Sequence, residues 1–170
     1  MEQTDQSKVD PREFRRVLGR FASGVTVITT VHEGSIHGMT ANAFVSVSLD
    51  PPLVLVSVGN WSNMNKTLPH SKRYGVSILS DKQTDLSKHF GERRKEGIEI
   101  PLVWHHEIPL LDGALAHLVC RVVGEHPAGD HALYIGQVEY LSYGDGTPLL
   151  FYTGTYRNLE VQLWDDLYIW

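Results

Sequence analysis

The sequence predicts a mainly β protein, a β-barrel with peripheral helices. Short runs of β-branched and apolar residues recur between positions 25 and 153, most of them alternating with polar residues as half-buried strands do. The links between runs are mostly of turn length. That favours antiparallel pairing, because a parallel pair needs a long crossover at every step. Helical spacing or caps mark only residues 10–21, 62–68 and 81–90.

The elements follow in order. Residues 1–9 are polar. Asp10-Pro11-Arg12-Glu13 reads as a helix start, with Asp at the N-cap, Pro in the first turn and Glu placed for a capping-box-like contact. Phe14, Val17, Leu18 and Phe21 make one apolar stripe, expected to face the body of the protein, and Gly24 ends the segment. Residues 25–31 predict a strand, His32-Glu33-Gly34-Ser35 a tight connection, and 36–40 the return strand of a hairpin. Residues 44–49 predict the next strand, stopped by Asp50-Pro51-Pro52 because proline cannot donate to a ladder. The nearly continuous apolar run 53–58 predicts a strand buried on both faces.

Ser62 or Asn63 can cap a short helix carrying Lys66, Thr67 and Leu68. Residues 74–79 predict a strand, and 81–90 a helix with Leu86 and Phe90 at i, i+4 and Gly91 as terminator. Residues 92–112 read as a long loop. Residues 114–124 and 132–143 predict two long strands joined by 125–131, and 149–153 a short one after Asp145-Gly146. With no repeat or linker, 1–170 reads as a single domain with its core at about 12–159. An N-terminal arm precedes that core. An aromatic tail ending Leu167-Tyr168-Ile169-Trp170 follows it, expected to dock on the body or on a second subunit.

Composition narrows the function. Hydrophobic residues make up 42% and charged residues 21% of the chain, an ordinary globular balance. The net charge is −5 with no long basic run, which argues against nucleic acid. The cluster Glu92-Arg93-Arg94-Lys95-Glu96 mixes signs and reads as solvated surface. The single cysteine, Cys120, lies in an apolar alternation and reads as a small buried hydrophobe. Without a disulfide pair, a signal core or a membrane-length apolar run, the expected location is cytoplasmic, with no membrane partner.

Three segments are candidates for chemistry. The stretch Gly38-Met39-Thr40-Ala41-Asn42-Ala43-Phe44 is small and polar between bulky runs. It reads either as a plain turn or as backbone placed close to a ligand, with Thr40 and Asn42 offering hydrogen bonds. From Ser57 to Thr67, a strand end runs into a helix start with Ser62, Lys66 and Thr67. That is either an anion site or an ordinary capped helix. Gly129-Asp130-His131 holds an imidazole at a strand mouth, either facing a ligand or merely at the surface. His105-His106 invites a metal reading, but adjacent residues of an extended chain point apart and no HExxH or cysteine pair supports it, so no metal is expected. GxSxG and GxGxxG are absent, which speaks against hydrolysis by a serine elbow and against a Rossmann site.

Taken together and in this order, these segments resemble the flavin reductase family, the small reductase components of two-component flavin-dependent monooxygenases. The resemblance rests on Phe14-Arg15-Arg16, Phe21 to Val27, Gly38 to Phe44 running into Ser46 to Leu53, Ser62 to Thr67, Gly129-Asp130-His131 with Ile135-Gly136, and Leu149 to Arg157. It implies a split β-barrel with Greek-key connections, a homodimer, and FMN (or FAD) bound between barrel strands. By the same resemblance, Met39, Thr40, Ala41, Asn42 and Ala43 line the isoalloxazine, largely through backbone groups. Ser57, Val58 and Gly59 run beside the ring and ribityl chain, and Ser62, Lys66 and Thr67 hold the phosphate. His131 approaches the nicotinamide side as the catalytic residue, and Tyr156 and Arg157 close the site. The implied reaction is hydride transfer from NADH or NADPH to the flavin, which a partner monooxygenase then receives. The absence of a basic cluster for a 2′-phosphate leans towards NADH. Two other readings stay open: a flavoprotein of this fold acting on a bound organic substrate, and a non-catalytic flavin carrier or sensor.

Overall fold

The structure, a computed structural model, describes residues 9–91 and 97–159. In chain order these form α1 (Pro11–Leu18), β1 (Ser23–Gly24), β2 (Thr26–His32), β3 (Ser35–Ala41), β4 (Phe44–Leu49) and β5 (Pro52–Gly59). Next come α2 (Asn63–Ser71), β6 (Arg73–Ile78), a 3₁₀ turn leading into α3 (Thr84–Gly91), and the hairpin of β7 (Leu102–His105) and β8 (Ile108–Leu111). The long strands β9 (Ala116–Ala128) and β10 (His131–Tyr143) and the hairpin of β11 (Leu149–Tyr152) and β12 (Thr155–Asn158) complete the series.

The main sheet is antiparallel, in the order β3-β2-β6-β9-β10-β5-β4. Its two edges are therefore consecutive strands, joined only by Asn42 and Ala43. Residues from both ends of the sheet, Ile28, Met39 and Ala41 on one side and Phe44, Val56 and Val58 on the other, meet in one core with Tyr74, Cys120 and Tyr134. The sheet thus curls around a shared interior, yet no ladder joins β3 to β4. That is the expected barrel with a split. A second core of Val25, Val27, Leu79, Leu86, Leu111 and Leu149 joins it to α3 and to the small sheet β1-β11-β12.

Local chemistry accounts for most boundaries. Glu33 and Gly34 take φ of 50° and 73°, the left-handed pair that closes a two-residue hairpin between β2 and β3. Asp10 caps α1 by accepting from the Arg12 N–H at 2.7 Å. Ser62 caps α2 through the Asn65 N–H at 3.1 Å.

Several expectations need correction. Glu13 makes no capping box; it pairs with Arg16, one turn on, at 2.6 Å. The α1 stripe does not enter the core, since Phe14, Val17, Leu18 and Phe21 are all more than half exposed, and the helix ends at Leu18, well before Gly24. Strand β5 alternates buried and half-buried residues, so one face is fully covered and the other only partly. Residues 102–111 form a hairpin, not a loop, because His106 and Glu107 adopt positive φ and make a two-residue turn that their side chains do not announce. The link before β10 shrinks to Gly129 and Asp130. Beyond Arg121, β9 has left its ladder with β6, so Pro127 sits on a free edge where its missing N–H costs nothing. The Glu92–Glu96 charge cluster and the tail from residue 160 lie outside the described residues.

Candidate active site

A cavity of about 470 Å³ lies at the split in the sheet. Six successive positions, Gly38, Met39, Thr40, Ala41, Asn42 and Ala43, form one wall. Side chains on a strand alternate between faces, so an unbroken series means the strand presents its edge and its backbone. Among the described residues, strand β3 pairs only with β2, on its other side, which leaves the N–H and C=O groups of this edge for a ligand.

Opposite this edge come Ser57 and Gly59 from β5 and the start of α2 at Ser62, Asn63 and Met64. The first-turn N–H groups of Asn63 and Met64 have no partner within the helix and carry the positive end of its dipole. Tyr134 braces this turn, its hydroxyl donating to Asn65 Oδ1 at 2.8 Å; burial raises that phenol to about 12. His89, Phe90 and Gly91 at the end of α3 close a third side. His89 Nδ1 is buried and has no hydrogen-bond partner among the described residues.

Trp61 and His131 stand at the mouth, ring edge to ring face, with centroids 5.2 Å apart. The turn before His131 depends on Gly129, whose φ is +64°. Asn60 ties that turn to the end of β5, its N–H donating to the Asp130 carbonyl at 3.0 Å. His131 Nδ1 donates to Asp130 Oδ1 at 2.7 Å, and this bond holds the Asp130 carboxyl below its ordinary value. With Nδ1 committed to Asp130, Nε2 is the ring nitrogen left for another partner.

The expected site residues separate into two groups. Met39, Thr40, Ala41, Asn42, Ala43, Ser57, Gly59, Ser62 and His131 line one cavity. Val58 does not line it; its side chain is fully buried in the core, and only its backbone runs past. Lys66 is exposed, and Thr67 turns its hydroxyl onto the Asn63 carbonyl at 2.8 Å, so the anion end rests on the helix start and Ser62. Tyr156 borders a smaller neighbouring space with Thr40 and Asn42, its hydroxyl bonded to Ser87 Oγ at 2.8 Å. Arg157 is exposed on β12. Thr40 spends its hydroxyl on the Ser87 carbonyl at 2.7 Å, holding α3 in place. Gly38 serves the same docking: a Cβ there would come within 2.4 Å of the Phe90 ring.

Trp61, Asn63 and Met64, inside the candidate segment 57–67 but given no ligand role there, line the site, as do His89, Phe90 and Gly91, which the sequence did not mark for a ligand. Phe90 was legible only as a helix-stripe residue; nothing local marked His89. Among the described residues no group of three His, Cys, Asp or Glu side chains is placed to hold a metal ion, and no helix is long and apolar enough to cross a membrane. An edge of backbone donors and acceptors and an open helix start in one cavity fit a flat polar heterocycle with an anionic arm.

Comparison with known proteins agrees with this geometry. The model of the flavin reductase like domain matches residues 18–160. The chain is 53% identical over 157 residues to an NADH-dependent flavin reductase of Rhodococcus sp, covering 91% of this chain and 89% of that one. It is 40% identical over 147 residues to the reductase component of 4-hydroxyphenylacetate 3-monooxygenase of Thermus thermophilus, covering 86% and 95%. Among solved structures, the flavin reductase PheA2 in its native state superposes with a TM-score of 0.87 at 45% identity, over 90% of this chain and 100% of that one.

Proposed function

The chain belongs to the flavin reductase like domain family, and from that premise we propose that it is an NADH-dependent flavin reductase supplying reduced flavin to a monooxygenase component. The observation that carries this reading is the shared cavity of the free β3 edge and the open start of α2. Bound there, FMN supplies the hydride-accepting chemistry. The chain supplies binding and orientation. The β3 edge from Met39 to Ala43 holds the ring through backbone groups, and Ser62 with the Asn63 and Met64 N–H groups holds the phosphate. His89 walls the cavity from the α3 side. Trp61 and His131 receive the nicotinamide at the mouth, with Asp130 fixing the imidazole. No acid–base dyad is required, because holding two rings face to face is the main task.

The functional unit we propose is a homodimer built from one domain per chain. Val45, Val47 and Leu49 on the edge strand β4 are 52%, 48% and 90% exposed, an apolar edge that a second copy covers.

The test mixes purified protein with NADH and excess FMN and follows the nicotinamide absorbance. Rapid, FMN-dependent loss is the expected result. No loss with flavin still tightly bound makes the protein a carrier instead.

A further inference from the structure

Beside the flavin cavity lies a second one of about 670 Å³, which shares Asn42, Trp61 and His131 with it. Its outer wall is α1, through Phe14, Arg15 and Leu18. A third space of about 650 Å³ lies on the far side of Arg15, lined also by Arg16 and Arg20. Arg15 alone among these arginines faces both, and its charge is felt at Asp130, next to His131. Arg16 is neutralised by Glu13 at 2.6 Å. Among the described residues, the Arg15 and Arg20 side chains have neither an ion pair nor a hydrogen bond to another group. In a chain with net charge −5, the Arg15 guanidinium lines the cavity that holds Trp61, Asp130 and His131, and Arg20 lines only the adjoining space, so the positive charge offered to an anion there is chiefly that of Arg15.

We propose that Arg15, backed by Arg20, binds the pyrophosphate of the nicotinamide dinucleotide, while the nicotinamide riboside end reaches past Trp61 and His131 to the flavin cavity. The proposal rests on the reductase reading above and adds the residues that hold the hydride donor. The placement matches the ligand. Arg15 lines the same cavity as Trp61 and His131, so one ligand can reach both the guanidinium and the two rings. The 2′-phosphate of NADPH lies at the opposite end of the dinucleotide. A planar guanidinium suits bidentate contact with phosphate oxygens. The pyrophosphate is common to both dinucleotides, so the site raises affinity for NADH without needing a 2′-phosphate.

The experiment compares wild type, Arg15→Gln, Arg15→Lys and Arg20→Gln as FMN-loaded protein. Each is assayed with NADH and with reduced nicotinamide riboside, which has no phosphate. Arg15→Gln is expected to lower kcat/KM for NADH by about tenfold, chiefly through KM, and that for the riboside by less than about twofold. Arg15→Lys recovers part of the loss, and Arg20→Gln shows a smaller one in the same direction. An unchanged NADH constant in Arg15→Gln overturns the proposal, as does an equal loss with both donors. So does a variant that loses FAD affinity while NADH kinetics hold, since Arg15 then serves an adenylate on the flavin. Wild-type protein that oxidises NADH with FMN while Arg15→Gln is unaltered defeats only this assignment. Wild-type protein that oxidises no NADH defeats the reductase reading and this assignment with it.

Discussion

The ring of Phe90 occupies the space where a side chain at Gly38 would begin: a Cβ there would lie 2.4 Å from the ring. Gly38 is on β3 and Phe90 on α3, so this contact sets how closely the helix wall approaches the strand edge across the cavity. Gly38→Ala is expected to push α3 outward and cost about 1–3 kcal/mol, the usual range for overpacking. Urea denaturation reads the stability, and a flavin titration reads the widened cavity as weaker binding. Adding Phe90→Leu should recover part of both losses, because the smaller side chain vacates the contested space.

Ser62 and Lys66 are expected to differ in a way that the sequence did not foretell. Ser62→Ala removes the cap of α2 and one wall of the anion end, costing about 1 kcal/mol of stability and about tenfold in flavin affinity. Lys66→Ala acts only at a distance, so its effect on flavin affinity should stay under about threefold and fade with added salt. Isothermal titration at two ionic strengths separates them.

Asp130 gives a pH signature. Its hydrogen bond from His131 holds the folded carboxyl below its unfolded value, so the pair favours the folded state above about pH 4. That contribution is lost as pH falls through the lower folded value. In a carboxyl-resolved NMR titration, His131→Ala should move Asp130 upward towards the ordinary aspartate range. An unmoved Asp130 would mean that another group holds it.

Cys120 is expected to be inert while the protein is folded. Burial pushes its thiol up to about 12, so at pH 8 about one in ten thousand is ionised. Iodoacetamide should label it only after denaturation. The raised value also has a stability sign: the unfolded thiol ionises first, so this contribution is intact below about pH 8.5 and lost as pH rises towards 12. Cys120→Ala should therefore show a flatter alkaline limb in denaturation.

What the sequence disclosed follows from how local each cause is. The β2–β3 turn was legible because Gly34 carries its left-handed conformation openly, whereas the equivalent turn at His106 and Glu107 uses residues that give no such sign. Pro127 reads as a break until the ladder shows that β9 has lost its neighbour there. In the site, the segments 38–44, 57–67 and 129–131 stood out through their turn and cap chemistry, and the resemblance to the flavin reductase family then singled out Met39 to Ala43, Ser57, Gly59, Ser62 and His131, which line the cavity. His89 and Trp61 were not singled out, since only the packing of α3 through Thr40 and Gly38, and of Trp61 against His131, brings them to the cavity. The α1 stripe misled for a related reason. Its apolar residues border a cavity and solvent, and the pattern of a helix face does not say what it will meet.

The two free edges of the sheet, β3 and β4, are tethered by Asn42 and Ala43 and by no ladder. A ligand lying in a gap of that kind displaces no ladder hydrogen bond, since none crosses it. For a reductase of this family, entry and exit of the flavin through such a gap therefore leave the backbone pairing of the sheet intact.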